Sequence, residues 1–175
     1  NGFITYFYTD VVGLTISVVG SILLFARVFD GITDILMGAV VDRTSTAKGK
    51  ARPWIKRMIL PYALALILLF TSPSFLPQEM KAVYAFATYV ISLAGVYTMT
   101  MVPYNTMLGT TTSDSKERGF LSTSRTIFGF LGAFLVNGIV LKVVGMFGNV
   151  TEASSWTKMA AVFALESAVL LTILY

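Results

Sequence analysis

The sequence predicts an all-α membrane protein, and three observations predict it. Hydrophobic residues make up 55% of the 175 residues and charged residues only 13%, with a mean hydropathy of +0.76, far more apolar than a soluble domain. The apolar residues gather into runs close to the length, about 20 residues, that crosses about 30 Å of hydrocarbon. The basic residues gather between alternate runs, as positive charges do on the cytoplasmic side of a membrane. With no cysteine and no histidine, there is no thiolate or imidazole for a metal cluster, a nucleophile or a general base. No enzyme activity, no cofactor and no nucleic-acid partner is expected, because a formal charge of +4 concentrated in loops is a membrane pattern.

The first run, near 1–8, is short and aromatic, and no signal-peptide pattern opens it, so it is expected to be the end of a helix. The sequence begins at Asn1 inside this run and stops at Tyr175 inside another, and it is therefore expected to be a fragment. A second run covers 17–41. A third, 58–72, approaches spanning length only with its aromatic flanks, and Pro73 and Pro77 punctuate the loop that follows. The fourth, 82–108, contains Pro103 and ends in the polar stretch 109–119. The fifth and sixth cover 120–144 and 155–175. Trp54, Tyr62, Trp156 and Tyr175 fall at or near predicted helix ends, where interfacial anchors belong.

Topology follows from the loops. Arg43, Lys48, Lys50, Arg52, Lys56 and Arg57 lie between the second and third runs, and Lys116 and Arg118 between the fourth and fifth. The opposite loops hold only Lys81, Lys142 and Lys158, so eight charges against three place the basic loops in the cytoplasm.

Within the second run lie Arg27, Asp30 and Asp34, far from either end. An ionisable group at that depth costs about 2.5–3.5 kcal/mol on insertion scales, so it is expected to face the protein interior and to mark an ion or substrate path. Spacings of three and four put the three side chains on one helical stripe, where the two carboxylates can converge on a monovalent cation or a proton. The alternative is an Arg27–Asp30 pair that only holds helices together, with Asp34 in a polar contact. In the fourth run Pro103 cannot donate to the carbonyl of Met99, so the helix is expected to kink there and offer an oxygen beside Thr98 and Thr100. Arg125, a few residues inside the fifth run, admits two readings: it snorkels to the interface, or its planar fork meets ligand oxygens in a polar cavity.

Three stretches then point to a family: 7-FYTDVVGL-14, 26-ARVFDGITD-34 running on through Met37 and Gly38, and 49-GKARPW-54. With Val102, Pro103, Tyr104 and Asn105, then Lys116, Glu117 and Arg118, and then Arg125, the chain resembles the glycoside–pentoside–hexuronide cation symporters along nearly its whole length. The resemblance implies the major-facilitator fold, with residues 1–175 forming most of the N-terminal six-helix transmembrane bundle, the first helix truncated and the C-terminal bundle absent. It implies a cation site at Asp30, Asp34 and Thr98, with Na+ or Li+ bound by Asp30 and Asp34 if the coupling ion is not a proton. It implies a sugar cavity reached by Arg125, and a cytoplasmic gating motif at Gly38, Asp42 and Arg43. Two positions depart from the pattern: Met101 stands where the melibiose permease has a sugar-binding acid, and Asn105 stands where it has an aromatic ring. Asn105 still donates and accepts hydrogen bonds, which keeps a hydroxylated ligand in view.

The resemblance implies symport of a sugar with Na+, Li+ or H+ through a bacterial cytoplasmic (inner) membrane, with membrane lipid, sugar and cation as the partners. The rival readings are an uncoupled facilitator, a proton-driven exporter of the same superfold, or a non-transporting sensor or scaffold.

Overall fold

The computed structural model describes residues 2–47, 49–112 and 114–175, so Asn1 at the head of the first run and Lys48 in the basic loop lie outside the described residues. Among the described residues every regular element is a helix. Helix α1 (Gly2–Tyr6) passes directly into a π-helical turn, Phe7–Val11, closed by the Val12 N–H donating to the Phe7 carbonyl at 2.9 Å. The chain reverses at Gly13, whose φ of 79° favours a residue without Cβ. Helix α2 (Ile16–Arg43) follows, and its 28 residues extend about 42 Å at 1.5 Å per residue.

Helix α3 (Arg52–Leu69) accepts Pro53 in its first turn, where the missing N–H has no intrahelical partner to lose. Helix α4 (Gln78–Val90), a π-helical segment Ile91–Tyr97 and helix α5 (Thr98–Thr110) then form one rod. At the start of that rod, Nε2 of Gln78 donates to the carbonyls of Val12 (3.2 Å) and Gly13 (3.0 Å), satisfying acceptors that the end of the first helix leaves open. Helix α6 (Ser115–Phe147) is capped by Asp114, whose carboxylate accepts from the Lys116 N–H at 2.8 Å. Helix α7 (Ala153–Leu174) completes the described elements.

Among the described residues four stretches are long and apolar enough to cross a membrane: Ile16–Arg43, Gln78–Met107, Ser115–Phe147 and Ala153–Leu174. The all-α membrane class is therefore borne out. Helix α3 falls short of that measure because Arg52, Lys56 and Arg57 occupy its first turns. Helices α2 and α6 run past the apolar stretches expected for them, since helical hydrogen bonding continues into polar sequence once a helix is nucleated.

Helix α3 packs most extensively on α7, and α2 packs on the π segment and α5. The end of the molecule where α3 closes and α7 begins is clamped by aromatic rings: Trp156 stacks on Phe70 at 5.8 Å between centroids and tilts against Phe7 at 5.6 Å. Trp156 is fully buried, with Nε1 donating to the Val150 carbonyl at 2.6 Å, and Thr157 Oγ1 donates to the Phe70 carbonyl at 2.9 Å. This corrects the expectation that Trp156 is an interfacial anchor. Its ring ties α1, α3 and α7 together inside the protein. Helix α6 by contrast buries only Val140 and Val144 and exposes Phe128, Phe130 and Phe134. Beside lipid tails that is no penalty, because the bilayer is as apolar as the side chains.

Candidate functional site

The site forms where α2 crosses the junction of the π segment with α5. Asp30 lies on the inner stripe of α2, and its side chain is only 16% exposed, against 58% for Arg27 one turn earlier. Its two oxygens have different partners: Oδ1 accepts a hydrogen bond from Thr98 Oγ1 at 3.1 Å, and Oδ2 faces Arg27 Nη1 at 3.7 Å. Thr98, buried at 1% exposure, is the first residue of α5. Its Oγ1 also lies 3.3 Å from the Leu93 carbonyl, and its N–H donates to the same carbonyl, five residues back.

That five-residue spacing is the signature of the π segment and explains why Thr98 meets α2. A π turn holds one more residue than an α turn, so everything after it is rotated by about 100° around the helix axis. The expected irregularity at Pro103 is not where the helix departs from α geometry. Helix α5 continues through a buried Pro103, and the departure lies about two to three turns upstream, in Ile91–Tyr97.

Arg125 on α6 is half-buried, with its guanidinium 4.8 Å over the ring of Tyr104 on α5. A cation held against the face of an aromatic ring leaves its in-plane N–H groups for other partners. Thr98, Met101 and Asn105 fall on one stripe of α5 by their spacings of three and four, and Asn105 is exposed. Asp34 is also exposed, one turn beyond Asp30 on α2. The structure brings Asp30 and Thr98 together, while Asp34 stands open on the same helix.

Toward the C-terminal end of α2 Gly38 is partly buried, and Asp42 and Arg43 are exposed in its last turn. Thr44 Oγ1 donates to the Val40 carbonyl at 2.8 Å and accepts from Trp54 Nε1 at 3.0 Å, which pins the start of α3 to the end of α2. No group of three or more His, Cys, Asp or Glu that could hold a metal ion occurs among the described residues.

The whole chain, residues 1–175, matches the family described as MFS/sugar transport protein. The chain belongs to that family. This is a family of transporters and not of enzymes, and the expected kinship with glycoside–pentoside–hexuronide symporters of the major facilitator superfamily is borne out. The chain is 38% identical to YagG of Escherichia coli (strain K12), named as a glycoside/cation symporter, over 98% of this chain and 37% of that one. It is 34% identical to the isoprimeverose transporter of Lactiplantibacillus pentosus, over 99% of this chain and 36% of that one. It is 33% identical to the inner membrane symporter YicJ of Escherichia coli (strain K12), over 84% of this chain and 32% of that one. The chain thus spans a little over a third of the length of the first two of these MFS relatives.

Two features of this MFS chain were not singled out from the sequence. Tyr104 stands in the stretch that carried the resemblance, yet only the approach of α6 to α5 shows it to be the ring beneath Arg125. The π segment has no mark in its residues, ISLAGVY, beyond one glycine. Its excess residue becomes visible only as a carbonyl meeting an N–H five residues on.

Proposed function

We propose that this chain belongs to a cation-coupled sugar transporter of the bacterial cytoplasmic membrane, which moves a glycoside, pentoside or hexuronide together with Na+, Li+ or H+ by alternating access. The observation that carries the reading is the Asp30 carboxylate, withdrawn between Thr98 and Arg27 at a helix crossing within a membrane span. A scaffold has no need of an acid at that depth, whereas an ion path does. Asp30 and Asp34 supply negative oxygens and Thr98 a neutral one, the ligand type that a hard cation takes and that a proton also titrates. Arg125 and Asn105 face the sugar. Gly38, Asp42 and Arg43 belong to the gate that closes on the cytoplasmic side. The names of the relatives, a glycoside/cation symporter and an isoprimeverose transporter, support a sugar and a coupled cation.

In this mechanism the cation neutralises the acids on α2 and favours a cavity shape of higher sugar affinity. Occupation of both sites then permits the two bundles of the full transporter to rock. Coupling between two binding sites is reciprocal, so the sugar tightens cation binding by the factor by which the cation tightens sugar. A second reading is uncoupled facilitation. It is favoured by the Arg27–Asp30 pair, which already neutralises one of the acids.

Uptake of a panel of labelled glycosides into vesicles bearing the full-length protein, with sodium, lithium and proton gradients imposed singly, decides between them. Accumulation driven by one cation and abolished by Asp34→Asn is expected. Substrate that merely equilibrates, indifferent to every gradient and to the substitution, would leave facilitation as the function.

A further inference from the structure

The last turn of α2, the loop to α3 and the first turns of α3 carry Arg43, Lys50, Arg52, Lys56 and Arg57, and all five side chains are exposed. Asp42 is the sole acid in the sequence from residue 35 to residue 78, and no acidic residue occupies the first turn of α3. The cations therefore repel one another, and Arg52 and Lys56, four residues apart, do so on one helix face. They also crowd the N-terminal end of a helix, where the macrodipole favours anions. The chain nonetheless holds this arrangement in place. Trp54 is anchored to Thr44 at 3.0 Å, Arg57 lies 5.4 Å over the Trp54 ring, and Lys56 lies 5.1 Å over the ring of Tyr175 at the end of α7. From Met58 onward α3 is apolar, so these charges and two rings stand at the level of the lipid headgroups.

We infer that Arg52, Lys56 and Arg57, with Arg43 and Lys50 beside them, form a docking surface for anionic phospholipid headgroups of the cytoplasmic leaflet. The phosphate relieves the mutual repulsion, and the rings of Trp54 and Tyr175 hold the basic side chains at headgroup depth. A cluster of this size immediately cytoplasmic of membrane helices has the charge that such lipids complement. The inference does not depend on which solute is transported or on cation coupling.

The test uses the full-length protein in neutral detergent, offered phosphatidylglycerol or phosphatidylcholine, with retained lipid measured by native mass spectrometry. Phosphatidylglycerol is expected to be retained over phosphatidylcholine, less so as salt rises. Its affinity is expected to fall about fivefold for each charge removed through Arg57→Gln and then Lys56→Gln. Lys142→Gln, at the opposite end of the bundle, should leave retention unchanged. Arg52→Lys with Arg57→Lys keeps the charges and should keep the lipid, which separates loss of charge from loss of fold. Equal retention of the two lipids would overturn the inference, as would retention indifferent to neutralisation or lost in the charge-keeping variant. Displacement by inorganic phosphate at the concentration of the lipid would overturn it in favour of a free-anion site.

Discussion

At Thr98 one hydroxyl proton faces two acceptors, Asp30 Oδ1 at 3.1 Å and the Leu93 carbonyl at 3.3 Å. A cation bound at Asp30 needs a lone pair from that hydroxyl, and the proton then has the Leu93 carbonyl to turn to. Thr98→Ser keeps this exchange and is expected to retain cation-stimulated uptake. Thr98→Val removes the oxygen while keeping the shape, and is expected to weaken apparent cation affinity about tenfold or more, the effect of losing a bond to a charged group. The cation dependence of sugar uptake reads this directly. Tyr104 acts one step further out. Its ring lies under Arg125, so Tyr104→Leu should raise the half-saturating sugar concentration by about two- to thirtyfold, and Tyr104→Phe should leave it nearly unchanged, because the ring face persists. Equal losses in the Leu and Phe variants would show that the Tyr104 hydroxyl, and not the ring, supports binding.

Among the elements, the π segment Ile91–Tyr97 decides which way α5 points. Deleting Gly95 would return the rod to α-helical phase and carry Thr98 about 100° around the axis, away from Asp30. The expected result is unchanged helical content by circular dichroism with loss of cation-stimulated uptake. Stimulation that survives the deletion would show the Thr98–Asp30 contact to be dispensable. The start of the same rod has a structural duty instead. Gln78→Ala leaves the Val12 and Gly13 carbonyls without their side-chain donor, at a cost of about 0.5–1.5 kcal/mol, and should lower the unfolding temperature in detergent without changing the cation dependence of uptake.

For the molecule as a whole, cohesion is unevenly distributed. One end is locked by rings around Trp156, and the middle carries the polar crossing of α2 with α5. Helix α6 leaves most of its apolar surface exposed. Trp156→Ala opens a cavity at the point where α1, α3 and α7 meet and is expected to cost about 3–5 kcal/mol. Thermal unfolding followed by the fluorescence of Trp54, the other of the chain's two tryptophans, measures it.

The sequence by itself determined the all-α membrane class, the four long apolar stretches and the charged stripe. Apolar runs must cross hydrocarbon, basic loops must stay out of it, and spacings of three and four put Arg27, Asp30 and Asp34 on one face, all of which are local or solvent-imposed properties. The motifs from Phe7 to Arg125 also carried the family. Only the tertiary structure decided that Asp30 and not Asp34 meets Thr98, that Arg125 lies on Tyr104, and that Trp156 is a core residue instead of an anchor. Each of these depends on the rotation and separation of helices far apart in the chain. A single extra residue in a helical turn sets that rotation, and the packing of neighbouring helices sets the separation, so neither leaves a mark in residue type or spacing.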